Sequence, residues 1–81
     1  MGDINYNIYV VYYKNDFNGG IFVVVSAENE TDSENLLKRE LTKEYEKIPE
    51  IAKKCLNSLE IKCYKDTGVK ADKREIIYYG V

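Results

Sequence analysis

Residues 5–25 read NYNIYVVYYKNDFNGGIFVVV, two apolar runs on either side of a short polar turn. Tyr, Ile and Val fill both runs, which suits β-strands. In NDFNGG, Asn18-Gly19 fits the positive φ angles of a tight hairpin, and Gly20 gives room for a bulge. The first strand sets the constraint. A half-buried strand alternates apolar with polar, because successive side chains point to opposite faces. Here Tyr6, Ile8, Val10 and Tyr12 share one face, and Tyr9, Val11 and Tyr13 share the other. The rest of the chain must cover both faces or leave one bare.

At Ala27 the period changes. AENETDSENLLKRELTKEYEK reads as a helix, with Asn29 placed to accept from first-turn N–H groups. Glu30, Asp32 and Glu34 put negative charge near the positive end of the helix dipole. Ser33, Leu37, Leu41, Tyr45 and Ile48 form one stripe with Leu36 beside it, while Glu34, Lys38, Arg39, Lys43 and Glu46 lie opposite. Glu34 and Lys38 are spaced as an i,i+4 ion pair. Pro49 interrupts this helix and starts a shorter one, to about Asn57, carrying Ile51, Ala52, Cys55 and Leu56. Leu59, Ile61 and Cys63 then alternate with Glu60, Lys62 and Tyr64, which predicts a third strand at a sheet edge. Asp66-Thr67-Gly68 reads as a turn and residues 69–73 as loop or frayed strand. Residues 74–79, REIIYY, form a fourth strand, apolar on both faces.

The expected architecture is one α+β domain over residues 1–81, in the order β-β-α-(α)-β-β. Its four-stranded, mainly antiparallel sheet carries the helices on one face. The first and fourth strands, apolar on both faces, are expected to be the central pair. Leu37, Leu41, Val23, Val25, Ile61 and Ile76 are the expected core.

Composition excludes more than it assigns. The 81 residues are 44% hydrophobic and 32% charged, which suits a folded domain rather than a disordered segment. The formal charge is −2, so non-specific attraction to nucleic acid is not expected. No apolar run is long enough for a membrane span. MGDINYN lacks the basic start and apolar core of a signal peptide, and Tyr6 breaks the myristoylation pattern, so a cytoplasmic location is expected. Heavy use of Lys, Ile, Asn and Tyr, all with AT-rich codons, points to a low-GC bacterium, or to a phage or mobile element within one.

Candidate chemistry is sparse. Without histidine, the commonest general base and metal ligand is missing, and no Ser–His or Cys–His pair forms within the chain. Ser26, Ser33 and Ser58 sit in no nucleophile-elbow pattern. No Walker or dinucleotide glycine motif occurs, and no calcium-loop pattern holds Asp66, Asp72 or the acidic run from Glu28 to Glu34. Cys55 and Cys63 match no metal or redox spacing and read as small buried hydrophobes in a reducing compartment. No catalytic, cofactor-binding or metal-ligating residue is assigned, and an enzyme is not expected.

Partner binding remains. One long and one short helix cover one face of a four-stranded sheet but not both. The aliphatic helix stripe fits Ile8 and Val10 better than phenols that need hydrogen-bond partners. That places Tyr9, Val11 and Tyr13 away from the helices, with Tyr64 and Tyr79, as the expected partner-binding set. A non-catalytic module follows, binding a protein partner or a second copy through that face or an exposed edge strand. Size, acidity and composition fit a phage or mobile-element inhibitor of a host defence enzyme, with helix carboxylates mimicking phosphates. The alternative is single-stranded nucleic-acid binding by stacking on Tyr9, Tyr13, Tyr64 and Tyr79, with Lys65, Lys70, Lys73 and Arg74 on phosphates. Only two arginines and no glycine-aromatic signature weigh against it.

Overall fold

A computed structural model describes residues 5–15 and 19–80, apart from the side chain of Ile51. The elements are β1 (Tyr6–Lys14), β2 (Ile21–Ala27), α1 (Glu30–Glu46), α2 (Pro49–Asn57), β3 (Glu60–Ala71) and β4 (Glu75–Tyr79). β1 and β2 pair antiparallel from Asn7↔Ala27 to Tyr13↔Ile21. Asn18 lies outside the described residues, so the Asn18-Gly19 reading does too. Gly20 has φ +128°, which a side-chain-bearing residue rarely adopts.

The sheet order is β3-β1-β2-β4 and every neighbouring pair is antiparallel, an α+β fold as expected. β3 is an edge strand. β4 is also an edge, not a partner of β1 at the centre. The hairpin seats β2 on one side of β1 and β3 occupies the other, so β1 has no edge left for β4, which pairs with β2. Its apolar residues serve one margin of the core and one exposed face.

β3 corrects a second expectation. Asp66-Thr67-Gly68 is not a turn between strands but an irregularity inside a 12-residue strand. Register shifts on β1 fall between Asn7 and Tyr9 and between Val10 and Val11. Gly68 takes φ +78°, its N–H donates to Asp66 Oδ1, and the Thr67 hydroxyl donates to the Ile8 carbonyl at 2.7 Å. A turn-like sequence is thus absorbed as a bulge, because local side-chain bonds stand in for the lost ladder bonds. The strand then continues through Ala71, over residues expected to be loop or frayed strand.

α1 starts as read: Asn29 Oδ1 accepts from the Asp32 N–H at 2.7 Å. Its buried residues are Ser33, Leu36, Leu37 and Leu41. Leu36, Leu37 and Leu41 close over Tyr9, Val11, Tyr13, Val23, Val25 and Ala27 to form the core. Ile61 and Ile76 pack at its margin and are half-buried rather than buried, because both stand on edge strands. Ile48 is exposed, since α1 ends at Glu46 and Ile48 caps the next helix. α2 makes its main contact with α1, and Cys55 is its buried residue. Both thiols are free, and burial pushes the half-buried Cys63 thiol up.

Only residues 72–74 join β3 to β4, at opposite edges of the sheet. The link bends at Asp72 and Lys73 and carries the chain past β1 and β2 in four Cα steps, which reach about 14 Å at most when straight. It is fastened at its β4 end. Arg74 Nε and Nη2 donate to Asp32 Oδ2 and Oδ1 at 2.9 and 2.6 Å, binding it to the first turn of α1.

Candidate functional site

The register decides which face is open. Tyr9, Val11 and Tyr13 alternate with Ile8, Val10 and Tyr12 along β1. The first set faces the helices: Tyr9 is 3% exposed, Val11 0% and Tyr13 5%. This reverses the orientation expected from the sequence. One reason is that the Tyr9 phenol does find a polar partner at the rim of the core. Asn7 Nδ2 donates to Tyr9 Oη at 3.1 Å, and on the same side Asn15 Nδ2 donates to Tyr45 Oη at 2.5 Å. Burial also pushes the Tyr13 hydroxyl above its ordinary pKa. Tyr79 is corrected likewise. It lies opposite the core residue Val23, and burial, then Glu40, Tyr13 and Glu44, hold its hydroxyl above the ordinary value.

The open face belongs to the other set. Tyr12 stands opposite Phe22 and Val10 opposite Val24. Tyr78 stands opposite Val24, Lys65 opposite Val10 and Lys62 opposite Tyr12. Between Lys65 and Cys63, Tyr64 is the extra residue of the bulge. Its ring reaches over β1 to Phe22, with centroids 5.2 Å apart and planes at 72°. Tyr12 and Phe22 are 5.3 Å apart at 59°. The three rings form one row, tilted at the Tyr12 contact and edge-to-face at the Tyr64 contact, the latter a geometry aromatic quadrupoles favour. No described element packs on them. Phe22 is 40% exposed, Tyr64 67% and Tyr78 60%. Of the residues expected to bind a partner, only Tyr64 lies here. Tyr12, Phe22 and Tyr78 were missed, although the period of two already grouped Tyr12 with Ile8 and Val10.

The bulge that lifts Tyr64 is held from the helix side. Glu34 Oε2 accepts from the Cys63 N–H at 2.7 Å. Glu34 therefore anchors β3 and is not the expected partner of Lys38. At the far side of the row the Tyr12 hydroxyl rests on Gly20, where an added Cβ would sit 2.6 Å from it. Gly20 thus sets both a backbone angle and the seat of a ring.

Charge around the row is uneven. Lys14 pairs with Glu60 at 3.1 Å, a bond that holds the Lys14 ammonium above its usual pKa. Lys62 and Lys65 form no ion pair among the described residues. Lys70 instead bonds Asn7, and Arg74 is held by Asp32. The loop expected to offer four cations to phosphates therefore does not present them together.

Two hollows adjoin β3. One of about 200 Å3 lies between Tyr12 and Tyr64, with Lys62 and Cys63. The other, about 660 Å3, lies between α1, α2 and β3, with Glu34 and Lys38 on one wall and Leu56, Leu59 and Ile61 on another. Its carboxylates, Glu34 and Glu60, are engaged by the Cys63 N–H and by Lys14. Among the described residues no three potential metal ligands converge, and no helix is long and apolar enough to cross a membrane. No protein-family model, curated protein or solved structure matches the chain significantly.

Proposed function

We propose that this chain is a non-catalytic interaction module that docks a protein partner on the open face of its sheet. One observation carries the reading. Phe22 and Tyr64 stay exposed in a ring row with the half-buried Tyr12, in a protein whose other sheet face is closed by α1. Contiguous exposed aromatics mark docking surfaces, because they bury much area at little conformational cost. The chain would act by occupying its partner's surface. Heavy use of residues with AT-rich codons supports a partner in a low-GC bacterium, and small size and acidity are the support for a host defence enzyme as that partner.

A second reading has one observation behind it. Tyr12 and Tyr64 flank a hollow beside Lys62, the ingredients of a base-stacking platform for single-stranded nucleic acid.

Phe22→Ser combined with Tyr64→Ser tests both. Both side chains are exposed, so the variant is expected to melt within a few degrees of the wild type. Wild-type protein should retain a specific protein from a nuclease-treated low-GC bacterial lysate, and the variant should lose it, by at least ~10-fold in affinity. Equal retention by both would overturn the reading. Retention abolished by nuclease would put the stacking platform in its place.

A further inference from the structure

The charges around the ring row say what kind of protein surface fits it. Lys62 and Lys65 lie on the open face, opposite Tyr12 and Val10, and both are exposed. Neither makes an ion pair among the described residues, whereas Lys14 beside them is matched to Glu60. The hollow between Tyr12 and Tyr64 has the Lys62 stem in its wall. Eight of the fourteen acidic residues fall on the helical segment, from Glu28 to Glu50, while Glu60 and Glu75 stand on this face and Glu60 is matched by Lys14. The face therefore carries an apolar row beside two ammonium groups that form no ion pair among the described residues.

We infer that the partner segment seated on this face is acidic, carrying carboxylates next to an aromatic or aliphatic anchor. The anchor fills the hollow between Tyr12 and Tyr64, and the carboxylates meet Lys62 and Lys65. This rests on the docking reading above and deepens it. Charge complementarity selects the occupant. A second copy stacked face to face would bring the same lysines near one another across the two-fold axis, which like charges oppose. A nucleic-acid strand needs cations tracking several phosphates. Here Glu60 and Glu75 share the face, and Arg74 is committed to Asp32.

Panning a displayed library of random peptides against the whole protein tests this at an ionic strength of ~0.15 M. Three proteins are compared: the wild type, Lys62→Glu with Lys65→Glu, and Phe22→Ser with Tyr64→Ser. The enriched peptides should carry Asp or Glu beside an apolar anchor. Synthetic copies should bind the lysine-reversed protein ~10-fold or more weakly, and the ring-truncated protein not measurably. Melting curves check that both variants keep the fold. Peptides that need the rings but ignore the lysine reversal would sink the acidic partner and leave the docking face standing. Peptides indifferent to both changes, or no enrichment at all, would remove both. Salt-sensitive binding of an oligodeoxythymidylate that is lost on lysine reversal would replace the acidic protein with a nucleic acid. Concentration-dependent dimers lost with Phe22→Ser and Tyr64→Ser would replace it with a second copy.

Discussion

Tyr9 and Tyr13 show how one side chain decides which way a strand turns. Both rings are buried against α1, and the Tyr9 hydroxyl meets its polar partner at the core's edge. Truncating such a ring removes its burial and leaves a cavity, at roughly 3–5 kcal/mol each. A domain of this length has about 4–12 kcal/mol to lose. Tyr9→Ser with Tyr13→Ser should therefore be unfolded at 25 °C by circular dichroism, whereas Phe22→Ser with Tyr64→Ser should not. Equal stability of the two double variants would show that the faces are assigned the wrong way round. Asp32 gives a second expectation at this scale. Its bond to Arg74 holds its carboxyl below the usual carboxylate range. A carboxylate depressed in the native state adds stability that is present above its unfolded pKa of about 3.9 and is lost as pH falls through the native value. The pair is partly exposed, so its worth is roughly 0.2–1 kcal/mol. Denaturant midpoints of the wild type and Asp32→Asn should differ at pH 7 and converge below about pH 4.

At the scale of elements, periodicity and capping were legible and competition between surfaces was not. The Asn29 cap, the Leu37–Leu41 stripe and the helical restart at Pro49 follow from local chemistry, and all three stand in the structure. The turn reading of Asp66-Thr67-Gly68 failed because Thr67 bonds across to Ile8, 59 residues away in sequence. No window along the chain holds that contact. The orientation of β1 failed for a related reason, since both of its faces are apolar and the choice depends on Asn7, a polar partner at the core's rim. Glu34 reads as a surface residue of α1 yet supports the bulge under Tyr64. The link over residues 72–74 gives an expectation of its own. It has only three residues with which to pass two strands, so deleting Lys73 should pull β4 off β2 and lower the melting temperature sharply. Inserting one glycine after Lys73 should cost little, because loop-closure entropy grows slowly with length. Equal melting of the deletion and insertion variants would show that the link carries slack.

Across the whole molecule, one face of the sheet is closed by α1 and the other is open. That division was legible as an excess of apolar strand surface over what two helices cover. Which residues stood on which side was not. The open face has a different membership from the expected one: Tyr64 stands on it with Tyr12, Phe22 and Tyr78, and Tyr9, Val11, Tyr13 and Tyr79 stand on the helix side. The same division predicts how the surface tolerates change. Substitutions at Phe22, Tyr64 or Lys62 should move binding with little effect on melting, and substitutions at Val23 or Leu37 should do the reverse.

The short link between the two outer strands also bears on how the chain assembles. β3 pairs with β1 and β4 with β2, so each edge strand needs one strand of the hairpin in place. With only residues 72–74 between them, docking one edge strand holds the other close to its place. Both then arrive in a single late event, after contacts more than 50 residues apart have closed. Such non-local closure is slow, on the order of milliseconds to seconds. Until it happens, both sides of the bare hairpin offer unpaired backbone to other chains, so the crossing that completes the sheet also ends the period in which a refolding molecule is prone to aggregate.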